Sequence, residues 1–315
     1  FNCIFFVMHV IRCLNEGEKD VWLDFVSSVF QRTPRDYFQR HLENDPDSDI
    51  YSRIFVAVED ENKTIEDISD IMGTLRVFKR SLLYKSESIT FGGIGEVSVS
   101  STHRRKGIAT SLLQKAISVM NESSFYWSSL HTGEAAPLYK SVGYQPVPKF
   151  SSTISNFIIS SDNNEYSCCT TSFSSDEIND MMDLYHSYSQ HFIGCVERKS
   201  LYYWNHWVKA ETPNIILVRN IDNELVAMIG CSIKDKNSIF VKEFAVIESM
   251  YTHDNGESIF KIAMNFWIHQ FCSSFSEESI IIILPSPICS NWKSIESKIT
   301  EIDNGVMYRN VSKQE

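Results

Sequence analysis

The chain has 315 residues, with 29 Lys+Arg against 40 Asp+Glu and a formal net charge of -11. That length suggests about two domains, and a hydrophobic content of 43% is enough for packed cores. The acidic balance argues against nucleic acid or an anionic membrane as the main partner.

The opening run FNCIFFVMHVI is too short to span a bilayer and has neither a basic flank nor a small-residue cleavage site. Phe1–Val7 therefore reads as a leader or remnant ahead of a natural start at Met8, with no targeting signal and a cytoplasmic location. Cys3, Cys13, Cys168, Cys169, Cys195, Cys231, Cys272 and Cys289 form no CxxC and no Cys/His cluster with zinc spacing. They read as reduced, mostly buried thiols, and no metal site is expected.

In chain order, His9–Leu14 alternates as a strand, and Val21, Trp22, Phe25, Val26, Val29 and Phe30 form the apolar face of a helix over Glu16–Phe30. Thr33 as N-cap and Pro34 in the first helical position open a second helix. Ile54–Glu59 and Ile71–Phe78 are strands with a polar connection between them, and Lys79–Thr90 reads as a loop or hairpin tip. Ile94, Val97 and Val99 then mark a further strand. It runs into the polar stretch Ser100–Lys106. From Ile108 the apolar residues Leu112, Leu113, Ala116, Ile117 and Met120 take up helical spacing.

This strand, turn and helix start have the chemistry to hold a diphosphate. A helix N-terminus leaves N–H groups without partners and carries partial positive charge, so it binds phosphate oxygens. Gly107 lets a ligand approach the backbone, Ala109 keeps the next turn uncrowded, and Arg104, Arg105 and Lys106 add charge. Cations there oppose the helix dipole, which a bound anion explains and an ordinary capped helix does not.

Trp127–His131 is the next strand, Ala135–Ser141 a short helix, and Tyr144–Phe150 a strand placed at a sheet edge by Pro146 and Pro148. The Ser- and Asn-rich stretch Ser151–Asn164 holds the domain connection, giving domains at 8–155 and 165–315. The second half echoes the first. It has a helix at Ser174–Ser189, an aromatic run at Leu201–Val208, and strands at Ile215–Arg219, Leu225–Ile233 and Ile239–Val246. A long helix at Ser258–Phe271 and a strand at Ile280–Leu284 follow, and Val306–Val311 is a last strand after another helix. The run Tyr202-Tyr203-Trp204-Asn205-His206-Trp207 reads as a packed interface rather than a cage for a cation.

Arg104-Arg105-Lys106-Gly107-Ile108-Ala109 resembles the Arg/Gln-x-x-Gly-x-Gly/Ala signature of the GNAT N-acetyltransferase superfamily, placed after a Val-x-Val strand. Leu130–Tyr144, LHTGEAAPLYKSVGY, resembles that superfamily's next block, a strand and short helix ending in Tyr-x-x-x-Gly-Tyr/Phe. Together they cover about the first half of the chain. The fold implied is a mixed α/β sheet with helices on its faces, repeated in a second, degenerate GNAT-like domain. Its turn, Glu248–Glu257, lacks the signature, and Glu248, Asp254 and Glu257 would repel a diphosphate. That tandem arrangement is similar to the enhanced-intracellular-survival-type acetyltransferases.

The resemblance implies transfer of an acetyl group from acetyl-CoA to an amine by direct attack, with no metal. The acceptor is left open between a small molecule, a protein lysine and a protein N-terminus. Val97, Ser98 and Val99 would offer main-chain groups to the pantetheine and the thioester oxygen, where the ladder to Trp127–Leu130 splays. The amides of Arg105, Lys106, Gly107, Ile108, Ala109 and Thr110 would take the diphosphate, with Arg104 beside them and Glu134 also on the coenzyme side. Tyr139 matches the family tyrosine that gives a proton to the leaving thiolate. Glu96, the one carboxylate in the strand, is either the general base or an outward-facing residue, with His131 and Glu134 as further candidates. Phe30, Tyr37 and Phe38 border the acceptor region, at least two of them as core. The alternative function is a non-catalytic acyl-CoA-binding or sensing protein, and transfer of a longer acyl chain also stays open.

Overall fold

Ile54–Val58 is buried at every position, as a strand covered on both faces must be. The computed structural model describes residues 9–84, 87–155, 157, 165–192, 195–235, 238–251, 255–272, 280–285, 297–302 and 306–311. These fall into two units, one within Phe1–Leu82, Ser88–Val147 and Asn304–Glu315, the other within Leu83–Glu87 and Pro148–Asp303.

The first unit runs β1 (Val10–Cys13), α1 (Lys19–Val29), α2 (Arg35–Glu43), β2 (Ile54–Val58), β3 (Gly73–Tyr84), β4 (Glu87–Val99), α3 (Ile108–Glu122), β5 (Trp127–His131), α4 (Ala136–Ser141) and β6 (Gln145–Pro146). Its sheet has the order β1-β2-β3-β4-β5-β14-β6, where β14 is Val306–Asn310 from the far end of the chain. Alternation along β2 divides its side chains between two cores. Ile54, Val56 and Val58 pack with Trp22, Leu23 and Phe25 of α1 and with Phe38 and Leu42 of α2. Phe55 and Ala57 join the opposite cluster, where Ile108, Leu112, Leu113, Ala116 and Met120 of α3 cover Leu75, Val77, Ile94 and Leu130.

The second unit contains β7 (Lys149–Ile154), β8 (Ser167–Thr170) and α5 (Ser175–Ser189). Then come α6 (Leu201–Tyr203), a π-helical turn (Trp204–Val208) and α7 (Lys209–Glu211). It continues through β9 (Ile215–Arg219), β10 (Leu225–Asp235), β11 (Ser238–Val246), α8 (Glu248–Tyr251), α9 (Asn255–Phe271), β12 (Ile281–Pro285) and β13 (Ser297–Ile302). The sheet order is β13-β7-β12-β11-β10-β9-β8, with β11 and β12 parallel. Ser174 caps α5 and Glu177 reaches back, a capping box. The mixed α/β fold and its repetition therefore appear as expected.

The two sheets exchange strands along the chain. β7 lies in the second sheet, paired with β12 and β13, although Ser151–Asn164 was expected to be a connection. β14 lies in the first sheet between β5 and β6, although it was expected to close the second half. Nothing local in either strand specifies which sheet it joins; register against a distant partner does.

Other expectations change locally. Of the loop or hairpin tip expected over Lys79–Thr90, the described residues are strand: β3 extends to Tyr84 and β4 begins at Glu87. Pro34, extended at φ -68 and ψ 153, is itself the N-cap of α2, so Thr33 lies one residue outside. Ser297–Ile302 is strand where a helix was expected. Of the six described cysteines only Cys231 and Cys272 are buried, and Cys13 and Cys169 are exposed, so "mostly buried" does not hold. Residues 1–8, Cys289 and Asp254 lie outside the described residues. Phe38 is buried and Phe30 packs against the same core, while Tyr37 is exposed. The edge strand expected over Tyr144–Phe150 is split: β6, with Pro146, lies at the edge of the first sheet, and Lys149 and Phe150 belong to β7 in the second. No described helix is long and apolar enough to cross a membrane.

Helix α4 ends at Gly143, whose φ of +91 is a left-handed stop. Gly143 N donates to Lys140 O at 3.0 Å and Tyr144 N to Tyr139 O at 3.0 Å. Arg309 of β14 adds an Nη1 hydrogen bond to Val142 O. A Cβ at position 143 would collide with that guanidinium. Gly143→Ala is therefore expected to destabilise the protein by about 1–3 kcal/mol, read as a lower urea midpoint at unchanged slope.

Candidate active site

The site begins where a ladder ends. β4 and β5 pair in parallel from Phe91↔Trp127 to Ile94↔Leu130, and β4 then continues to Val99 without β5, with β3 as its neighbour on the other side. Among the described residues, no backbone hydrogen bond joins the rest of β4 to β5. Just before the parting, Ser128 Oγ donates to Gly92 O at 2.9 Å and lies 2.6 Å from Tyr144 Oη, fastening the strands. Just after it, Glu96 takes φ +56, the mark of a bulge in a strand. The bulge changes the parity of the strand. Ile94, Val97 and Val99 all face the α3 cluster, and the intervening Glu96 faces the other way. Val97, Ser98 and Val99 thus carry the main chain along the side that β5 has left.

The turn that follows leaves a run of main-chain amides without partners among the described residues. Ser100 N donates to Met72 O at 3.0 Å and His103 N to Ser100 O at 2.9 Å, which anchors its start. Arg105 and Gly107 both have left-handed φ, +61 and +84, and such turns direct successive amides to one side. α3 starts at Ile108, and its first backbone bond is from Ser111 N to Gly107 O. Among the described residues, no hydrogen bond is made by the N–H groups of Arg105, Lys106, Gly107, Ile108, Ala109 and Thr110. A Cβ on Gly107 would meet nothing within 4 Å, so φ rather than crowding demands glycine there. Arg104, Arg105 and Lys106 are exposed beside these amides, and Arg104 Nε reaches Val99 O at 3.4 Å.

Tyr139 is buried on α4 in the cluster that includes Ile94 and Leu130, the last pair of the ladder. Its ring meets Tyr144 edge-on at 6.2 Å. Burial pushes the phenol above its ordinary pKa, so it stays protonated at neutral pH. Its hydroxyl has no hydrogen-bond partner among the described residues. Glu134 and His131 are exposed, and His131 pairs with Val306 of β14.

On the α2 side, β3 presents Arg76, Phe78 and Arg80 in alternation. Arg76 Nη2 donates to His41 O at 3.0 Å and Asp45 Oδ2 at 2.8 Å, and its guanidinium lies 4.3 Å from the Phe78 ring centroid. Arg80 forks onto Asp45 with two bonds of 3.0 Å. Arg76 Nη1 is 3.6 Å from Glu96 Oε1, with the glutamate side chain only 6% exposed. Both Glu96 oxygens and Arg76 Nη1 are buried without hydrogen bonds. Burial pushes the Glu96 carboxyl up to about 7, against the pull of Arg76. Burial and the cations Arg40, Arg76 and Arg80 push His41 down to about 4, leaving it neutral near pH 7. The structure thus turns Glu96 inward, and it adds Arg76 and Asp45, which sequence reading had not linked to the site. The available signal was an arginine inside the apolar strand GTLRVF, which needs a buried partner.

The turn over Glu248–Glu257 differs. Gly256 packs against the end of α8, where a Cβ would lie 3.0 Å from Met250 O, and Glu257 pairs with Lys261 at 2.9 Å. Phe244, on β11, is buried against Tyr188 at 5.8 Å and Phe260 at 5.7 Å. Among the described residues no group of His, Cys, Asp and Glu is arranged to hold a metal.

Residues 10–147 match the family model described as an acetyltransferase (GNAT) domain. No curated protein is similar enough in sequence to match. Among solved structures, a probable N-acyltransferase from Enterococcus faecalis, a conserved protein of unknown function, is 14% identical at TM-score 0.70, covering 96% of this chain and 73% of its own. Eis1 from Mycobacterium abscessus is 14% identical at TM-score 0.61, covering 96% and 74%. A tandem GNAT protein from the clavulanic acid biosynthesis pathway is 8% identical at TM-score 0.55, covering 98% and 100%. At these identities the structural likeness is one of fold. The turn and the parted strands lie inside the stretch that matches the acetyltransferase (GNAT) domain model, and the fold of the chain is similar to the tandem GNAT arrangement.

Proposed function

We propose that this protein transfers an acetyl group from acetyl-CoA to a primary amine by direct attack, using the first unit. The observation that carries the reading is the run of unpartnered amides from Arg105 to Thr110, set directly after a strand that has left its neighbour. Acetyl-CoA supplies the activated acyl group as a thioester. The chain's own groups perform three tasks around it. The amides of the turn, with Arg104, Arg105 and Lys106, hold the diphosphate. The freed edge at Val97, Ser98 and Val99 aligns the pantetheine and offers an N–H to the carbonyl oxygen. Glu96 takes the proton that the attacking amine loses, and Tyr139 gives one to the departing sulfur. No protein nucleophile is involved.

Glu96 suits the task because its proton affinity lies near neutral pH, where a base is both free and strong enough. Tyr139 suits the acid role because it remains protonated and its hydroxyl is uncommitted. The second unit fits a partner that does not bind coenzyme. Its corresponding turn is packed by its own backbone, and aromatic rings fill the space beside β11. The acceptor belongs to one of three classes: a small amine, a protein lysine or a protein N-terminus.

With a panel of amines, the protein should release free thiol from acetyl-CoA above the no-amine rate. Tyr139→Phe should lower kcat about a hundredfold with little change in coenzyme affinity. Coenzyme binding without thiol release from any amine would instead favour a sensing protein.

Gly107→Asp places a carboxylate among the diphosphate amides at a φ that Asp tolerates better than most residues. Calorimetry should show CoA binding weakened more than about tenfold with the fold intact. Undiminished binding would refute the diphosphate placement.

Glu96 also leaves a mark on stability. Its native carboxyl, at about 7, holds a proton that the unfolded chain releases near 4.5. Stability therefore falls as pH rises through that window, and the loss persists above it. Glu96→Gln should accordingly raise Tm at pH 8 and leave it unchanged near pH 4.5, while abolishing most turnover.

A further inference from the structure

The cluster behind Glu96 contains a combination that ordinary packing does not produce. A buried carboxylate and a buried guanidinium stand 3.6 Å apart, yet neither Glu96 oxygen nor Arg76 Nη1 makes a hydrogen bond. A buried ion pair normally closes to a charge-assisted bond of about 2.8 Å, because orphaned charge in the interior is costly. Something holds Arg76 back. Its Nη2 is committed to Asp45 Oδ2 and to the carbonyl of His41, and its flat face rests over Phe78. Asp45 is in turn held from two other sides. Arg80 donates to both of its oxygens, and Asp47 N donates to Oδ1 at 2.9 Å. Asp45 is 2% exposed and Arg76 1%, so solvent does not share the load.

We infer that Asp45 is a positioning residue for the proton acceptor of the transfer: by anchoring Arg76 together with Arg80, it keeps the Arg76 guanidinium from closing on Glu96 and leaves that carboxylate free to take a proton. The inference rests on the reading of Glu96 as the base. The charged and titratable groups around Glu96 and Arg76 are Arg76 and Arg80 from β3, Asp45 beyond α2, Tyr51, and Arg40 and His41 of α2, the histidine being neutral near pH 7. Asp45 and Arg76 act on Glu96 in opposite senses. The negative charge of Asp45 favours the protonated acid, and the positive charge of Arg76 favours the carboxylate. Were Arg76 bonded to Glu96 directly, the carboxylate would be a weak base. Without Arg76, burial would keep Glu96 protonated at neutral pH.

The test is the pH dependence of kcat/KM for the full chain with acetyl-CoA and an amine. Asp45→Asn keeps an acceptor oxygen at the position and removes the charge, so Arg76 can turn to Glu96. The acid limb should move down by about 1 pH unit or more. Arg76→Gln leaves the Asp45–Arg80 fork in place and strips Glu96 of its cation, so the limb should move up by a similar amount. Glu96→Gln should remove the limb altogether. A limb that survives Glu96→Gln refutes the base itself. A limb lost in Glu96→Gln but unmoved in Asp45→Asn, or moved the same way by Asp45→Asn and Arg76→Gln, overturns the role of Asp45 while leaving the base intact. If Asp45→Asn fails to fold, the upward shift in Arg76→Gln decides alone, and its absence overturns the inference.

Discussion

The first unit depends on a parallel ladder that stops early. Main-chain N–H and C=O groups inside a sheet must be paired, so parting two strands has a cost that the surroundings must bear. Here the cost falls on β4, which runs on to Val99 without β5, while β5 ends one residue after Leu130. On its other edge β5 pairs with β14 along its whole length, from Val306↔His131 to Asn310↔Trp127. The last strand of the chain therefore holds β5 steady while β4 bends away. Arg309 on that same strand also closes the end of α4 through Val142 O. One strand thus supports both β5 and the helix that carries Tyr139.

The bulge at Glu96 joins this geometry to the chemistry. A strand without it would put residues 94, 96 and 98 on the same face. With one left-handed residue inserted, Ile94, Val97 and Val99 share the α3 face, and Glu96 turns into the α2 side beside Arg76. The same irregularity that parts the strands thus buries a carboxylate.

Much of this was legible in the sequence. The turn from Ser100 to Gly107 and the helix after it carry local signals: a broken alternation, a glycine, and helical spacing from Ile108 onward. The apolar residues Ile94, Val97 and Val99 even contain the parity break, since an unbroken strand would not place an odd and an even position on one face. Less legible was whatever depends on remote pairing. Lys79–Thr90 is polar enough to pass for a loop or hairpin tip, yet its described residues are strand, in β3 and β4. β7 and β14 have strand-like composition but no residue that names a sheet. Asp45 sits 31 residues before Arg76, and no spacing rule connects them.

The second unit supplies an internal comparison. Ile94-Gly95-Glu96-Val97-Ser98-Val99 and Val241-Lys242-Glu243-Phe244-Ala245-Val246 share a pattern, and both break parity around a glutamate. In β11 the break is a register shift, where Gly230 faces Glu243 and Cys231 faces Val241. The parallel pairing with β12 likewise ends at Phe240, before the strand does. The two glutamates nevertheless have opposite surroundings. Glu243 accepts from Arg198 Nη1 at 2.6 Å, and that arginine lies over the Tyr185 ring. Glu96 faces an arginine held at 3.6 Å by Asp45. Where β4 has Val97, packed against the α3 cluster, β11 has Phe244, a ring packed on Tyr188 and Phe260. The same strand design, given a direct ion pair and an aromatic plug, becomes a closed core. The difference between the two glutamates lies in their arginines: Arg76 has a second carboxylate, Asp45, to bind, whereas Arg198 pairs with Glu243 directly.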